Sequence, residues 1–203
     1  MLNRAVRNSG IGILMLGAAT GAAVLALRPA HAQLMSLGSS VYVANLQQLN
    51  NSHASGTAEI VMSGDHRTLV VHIVARGLER GGPHLSHIHG LSSNGHPVNS
   101  TCPTIAQDSD HDGYVELAEG QQTYGPILVD FMNVDPDENG YVDFRKVIRL
   151  TGSEGVLPLD DRHIVIHGMT VGPVGRGTPG EVDGTAGYKV VLPVLCGELK
   201  RAR

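Results

Sequence analysis

The sequence predicts an all-β protein, an antiparallel sandwich or barrel. Short apolar or alternating runs recur between turn signals along the chain. Glycine is frequent, 26 of 203 residues, as many tight turns require. Beyond an apolar leader, no stretch keeps a helical period over three turns. Many short strands with Gly-rich turns fit a sandwich or a barrel.

Eight strands are expected, at residues 40–46, 56–63, 68–76, 84–89, 126–131, 141–150, 163–168 and 188–195. Ser63-Gly64-Asp65 marks the turn after the second. Pro126 can only open its strand, since it lacks a donor for the ladder. Residues 102–123 and 134–139 are acidic and polar and do not read as strand. Residues 171–186 are rich in Gly and Pro and read as a loop. With no Trp, 2 Phe and 5 Tyr, the core must be aliphatic.

The first 32 residues have the three regions of a secretory signal peptide. Arg4 and Arg7 precede an apolar run at 11–27, and Ala30-His31-Ala32 is a small-x-small cleavage pattern. Residues 33–203 then form one mature domain of 171 residues, enough to bury a core. The leader holds three arginines and no acid, so 12 basic and 19 acidic residues leave a mature charge of −7. A net acidic chain without a basic run argues against nucleic acid. No second long apolar run follows, so no membrane partner is expected after cleavage, and the location is periplasmic or secreted.

Cys102 and Cys196 are the two cysteines. In an oxidising compartment an even count points to one disulfide. Buried free thiols and metal ligation are the alternatives, and no CxxC spacing supports the latter.

The densest ligand cluster is Pro83-His84-Leu85-Ser86-His87-Ile88-His89-Gly90. Residues two apart on a strand share a face, so His87 and His89 can hold one metal while Ile88 enters the core. Neutral imidazole suits copper and zinc. Asp161-Arg162-His163-Ile164-Val165-Ile166-His167-Gly168 is a second strand with two histidines. At about 3.3 Å per residue they lie ~13 Å apart, so one ion cannot take both. His167, at the strand end beside Gly168, is the expected third ligand, and His163 is assigned a structural role.

Five motifs in order resemble the Cu/Zn superoxide dismutases: His87-Ile88-His89, Cys102, the strand from Arg162 to His167, Gly184-Thr185-Ala186-Gly187, and Cys196-Gly197. The resemblance runs from about residue 84 to the end. It implies a Greek-key β-sandwich of eight strands, copper on His87, His89 and His167, and superoxide as substrate. The family's bridging histidine is replaced by Asp108, and its zinc ligands are not recognisable, with only His111 in that stretch. The likeness is therefore to the copper-only branch, or to a relative that has lost the chemistry, and zinc is not expected. His111, His96 and His84 are candidates for a fourth copper ligand. The family's anion-guiding arginine has no clear counterpart. Counting from Gly187 gives Lys189 and counting back from Cys196 gives Pro193, so Lys189 is the candidate guiding cation. In the N-terminal half, Val41 to Leu46, the Gly56-Thr57-Ala58 strand, Leu69 to Leu78 and His87-Ile88-His89-Gly90 also resemble the CHRD domain, which implies a β domain without established catalysis. Only the dismutase pattern accounts for His167 and both cysteines.

Residues 108–119 fit the calcium-loop pattern D-x-D-x-D-G-x5-E. Asp108, Asp110, Asp112, the Tyr114 carbonyl and Glu119 would supply hard oxygens, which select calcium. Flanking helices are not evident, and an acidic solvated loop has a similar composition. Asp135-Pro136-Asp137-Glu138-Asn139-Gly140 starts in the same way, but Lys146 stands where the closing Glu should be. It reads as a turn opening a strand.

Three functions follow as expectations: a copper superoxide dismutase, a non-enzymatic copper-binding envelope protein, and a calcium-stabilised structural domain. A hydrolase with a G-x-S-x-G nucleophile is not supported.

Overall fold

Alternation of side chains decides which face of each strand is inside. In β1 (Ser40–Gln48), Tyr42, Ala44 and Leu46 are buried, while Val43, Asn45 and Gln47 face out. The computed structural model describes residues 38–152, 154–173 and 180–202. The proposed leader at 1–32 lies outside the described residues.

The remaining strands are β2 (Ser55–Met62), β3 (Thr68–Arg76), β4 (Leu85–His89), β5 (Leu91–Ser93), β6 (His96–Val98), β7 (Ile127–Asn133), β8 (Val142–Arg149), β9 (His163–Val171), β10 (Gly187–Glu198) and β11 (Lys200–Arg201). One helix, α1 (Leu117–Tyr124), precedes β7. The main sheet runs β7-β4-β9-β10-β1-β2-β3-β8, with β11 added to β1, and β5 and β6 form a separate hairpin. Among the described residues every strand pairing is antiparallel. The sheet curls into a nearly closed barrel. Its two edges approach each other where Lys146 Nζ of β8 donates to the Phe131 carbonyl of β7, at 3.1 Å. On that ring the β3–β4 connection passes over β8 and β7, and the β8–β9 connection passes over β7 and β4. Both are Greek-key crossings.

The interior is aliphatic: Leu46, Ile60, Leu69, Val71, Ile73, Ile88, Ile164 and Ile166 pack there with Phe131. At this face β4 and β9 alternate as expected. Ile88 and Ile164 pair in register and point inward. His87, His89, His163, Val165 and His167 point to the outer face. That face is buried too, because the segment from Ser100 to Gly125 lies across it. Tyr124, Val165 and Cys196 form a small apolar cluster there, with Leu49 and Cys102 against it. The disulfide Cys102–Cys196 fastens the start of the segment to β10. The Thr101 amide donates to the Thr123 carbonyl at 3.0 Å, tying the two ends of the segment together.

Segment 102–123, read as lacking strand, contains no strand but ends in α1, which runs on to Tyr124. Eight residues make little more than two turns, too few for a periodic pattern to stand out. Glu116 and Glu119 form a reciprocal cap that starts the helix, and Gly125 ends it at φ +83°. Arg162 is fully buried and has only carbonyls around its guanidinium. It donates to Gly155, Val156, Leu157, Leu91 and Asp161, so it pins the loop before β9 to the start of β5. Among the described residues, no helix is long and apolar enough to cross a membrane.

The disulfide closes a loop between residues 94 apart, so its loss frees a long segment of the unfolded chain. Cys102→Ser or Cys196→Ser should lower stability to urea unfolding by ~2–5 kcal/mol. Midpoints unchanged under reducing conditions would contradict this.

Candidate metal centre

His87 and His89 reach the outer face of β4 from alternate positions, and His167 reaches it from β9. One ring nitrogen of each lies within 4.8 Å of the others. The rings are packed, with centroids 5.2 Å apart for His87 and His167, 5.5 Å for His87 and His89, and 5.7 Å for His89 and His167. All three are buried, His87 at 6% exposure and the others at 1%, so His87 is the most exposed of the three.

The hydrogen bonds decide which nitrogens are free. His89 Nδ1 faces the Gly125 carbonyl at 2.8 Å, and His167 Nδ1 faces the Val191 carbonyl at 2.7 Å. A carbonyl can only accept, so both Nδ1 atoms carry the proton and both Nε2 atoms present lone pairs. His87 Nε2 lies 3.5 Å from Asp130 Oδ1. Three buried ring nitrogens here lack hydrogen-bond partners: His87 Nδ1, His89 Nε2 and His167 Nε2. Buried polar atoms are rarely left unpaired, so three on one face ask for a cation. Burial also holds the rings neutral. It pushes His89 down to about 4 and His167 to about 3, and lowers His87 against the opposing pull of Asp130. Neutral imidazole is the form that ligates metal.

Local backbone features shape the centre. Gly168, at φ +105°, leaves no room for a side chain, because a Cβ there would lie 2.3 Å from the Tyr188 hydroxyl. Val191 sits where the β9–β10 register shifts between Lys189 and Pro193. Tyr124 packs edge-on to His89, with ring centroids 4.7 Å apart. None of Gly125, Val191 and Asp130 carries a sequence signal, because each meets its histidine only through strand pairing or the end of α1.

The other expected residues lie elsewhere. His163 is buried and pushed down to about 4 by desolvation. Its Nδ1 meets Ser100 Oγ at 2.8 Å, and it is outside the three-histidine group. His84 has both ring nitrogens against carbonyls, those of His167 and Glu79. His96 is on the exposed β6, and His111 is exposed in the acidic loop at φ +63°. Lys189 Nζ is 2.9 Å from Asp183 Oδ1 and 3.2 Å from Thr185 Oγ1, so its charge is paired.

The loop 108–119 wraps its own carboxylates. Asp108 accepts from the amides of Asp112 and Gly113, and Asp112 accepts from Tyr114. Carboxylate oxygens of Asp108, Asp110 and Asp112 lie within 4.8 Å of one another. Glu119, inside α1, reaches back to the Ser109 amide at 2.6 Å and to its hydroxyl at 2.7 Å. A helix does therefore leave the loop, and the single-turn 3-10 segment Ile105–Gln107 enters it. Asn50 clamps Val115 on both its amide and its carbonyl, and also donates to the Pro193 carbonyl. Pro193 pairs with His167, so one side chain links the acidic loop to the strands of the centre. In the second acidic stretch Asp137 accepts from the amides of Asn139 and Tyr141, a turn opening β8.

No protein-family model matches this sequence, and no curated protein matches it. The two family resemblances rest on their motifs alone.

The depressed histidines set a pH dependence for the metal-free fold. Their folded pKa values, about 4 and 3, lie below the 6.5 of the unfolded chain. As pH falls below 6.5 the unfolded chain takes up protons first, so stability drops. The loss continues until the folded values are reached and then levels off. The melting temperature of the metal-free protein should already fall between pH 6.5 and 5, where carboxylates remain ionised. A flat profile over that window would show that the rings are not held neutral by the fold.

Proposed function

We propose that this is an exported copper-binding protein whose copper is held by His87 Nδ1, His89 Nε2 and His167 Nε2, and that it acts on superoxide. The observation that carries the reading is the set of three buried, unpartnered ring nitrogens on one face. Neutral nitrogen donors suit copper, and the motif order resembling the dismutases favours copper over zinc. Copper, when bound, would supply one-electron exchange, oxidising one superoxide to oxygen and reducing the next, with two protons, to hydrogen peroxide. The chain's part is to keep the three rings neutral, to fix each ring through the group on its other nitrogen, and to exclude bulk water from all but the His87 side.

A non-enzymatic copper-holding role is the second reading, and two observations favour it. Steering of an anion needs a free cation, and Lys189 is paired with Asp183. The carboxylate of Asp130 stands beside the most exposed ligand, where it repels an anion. The disulfide and the proposed leader fit an extracellular setting for either role.

For the loop 108–119 we propose calcium as a stabilising ion, supported by the sequence pattern and by the carboxylates of Asp108, Asp110 and Asp112 lying within 4.8 Å of one another; Glu119 is outside that group, bonded to Ser109 and the Glu116 amide.

His87→Ala, His89→Ala and His167→Ala should each abolish most copper affinity in a competition titration, and His163→Ala should not. Copper retained by a His87→Ala and His167→Ala double variant would place the site elsewhere. Superoxide turnover that tracks copper occupancy across the series supports the enzyme. Full occupancy without turnover supports the holding role. Millimolar calcium should raise the melting temperature of the wild type, and Asp108→Ala should remove that rise while copper content stays constant. No rise in the wild type would leave the loop as a plain acidic turn.

A further inference from the structure

His87 differs from the other two rings. His89 and His167 put Nδ1–H on backbone carbonyls and offer Nε2. His87 leaves Nδ1 buried and unpartnered and turns Nε2 to a side chain, Asp130, at 3.5 Å. A neutral imidazole carries one proton, and the acceptor it faces decides which nitrogen holds it. Asp130 is brought opposite His87 by an irregularity in β7. Ser86 pairs with Met132, but His87 pairs with Asp130, so Phe131 is an extra residue on that strand. Such bulges re-aim neighbouring side chains. Met132, next along, takes φ +70°, an uncommon conformation for a residue with a side chain. Its amide donates to Asp130 Oδ1 at 2.6 Å. The bulge and this amide together hold the carboxylate against the ring.

We propose that Asp130 is a positioning residue that fixes His87 as its Nε2–H tautomer, so that Nδ1 is the nitrogen left for metal. The proposal rests on the three-histidine reading above. A carboxylate on the far nitrogen of a ligand imidazole also raises the ring's basicity, and removing such a partner typically weakens metal binding tenfold to a hundredfold.

The test reads the tautomers directly, by long-range proton–nitrogen NMR correlation of the histidine rings in the metal-free protein at neutral pH. The wild type should show Nε2–H at His87 and Nδ1–H at His89 and His167. Asp130→Leu removes the acceptor and should move His87 toward Nδ1–H while the other two rings stay as they are. Asp130→Asn keeps an acceptor oxygen and should keep Nε2–H. In a copper(II) competition titration Asp130→Leu should bind about tenfold more weakly than wild type. Nδ1–H at His87 in the wild type would overturn the proposal without need of any variant. So would an unchanged His87 tautomer in a folded Asp130→Leu protein. A wild type that binds no copper would overturn the metal reading instead, and the tautomer result would still decide the role of Asp130.

Discussion

Burying three imidazole nitrogens without hydrogen-bond partners costs free energy, on the order of 1–3 kcal/mol for each polar group left unpaired. The rest of the fold has to carry that cost in the absence of a cation. It does so from two sides. The inner faces of β4 and β9 deliver Ile88, Ile164 and Ile166 into the aliphatic core. Because side chains alternate, the same packing forces His87, His89 and His167 onto the outer face together. The core therefore fixes the centre's geometry: a one-residue slip of β4 would exchange the two faces, moving Ile88 out of the core to the side of the covering segment and pushing histidines into hydrocarbon.

On the outer side the cover is held by unlike means, each acting at a different point. The disulfide anchors the start of the covering segment at β10. Asn50 grips its middle at Val115, and α1 ends it at Gly125, whose carbonyl orients His89. Tyr124 fills the space between that ring and the cysteines. Arg162 holds the loop before β9 by backbone carbonyls alone. A Cβ on Gly90 would lie 2.3 Å from its Cδ, so the residue after the His-x-His pair has to be glycine. The conditions that bury the rings and those that aim them are thus the same contacts.

How much of this was legible in the sequence follows from the range of each interaction. Alternation is local, so β3 is read at its observed bounds, and the other seven expected strands are read within a few residues of theirs. The shared face of His87 and His89 follows from the same period. The β5–β6 hairpin was not read, since three-residue strands carry no pattern, and α1 was too short to show one. The nitrogen that each histidine offers is further from reach. It depends on Gly125, Val191 and Asp130, which meet the rings through a helix end, a register shift and a bulge. Lys189 illustrates the same limit. The dismutase resemblance makes it a candidate guiding cation by its place after Gly187, but the turn at 183–185 folds back and supplies Asp183 and Thr185 as partners.

Charge balance is the last constraint on the centre. Three neutral imidazoles add no negative charge, so a cation bound there keeps its own in a place where water is largely excluded. In a medium of low polarity such a charge is felt further than it would be in water. Asp130 is the carboxylate that contacts a ligand ring, and it remains half exposed. At that position it partly offsets a bound cation while staying hydrated, so it need not bear the full cost of burial. The same placement discourages an approaching anion. If the centre holds copper as proposed, this one carboxylate would favour loading of the cation and oppose an anionic substrate beside His87, and the balance between those effects would separate the holding role from the enzymatic one.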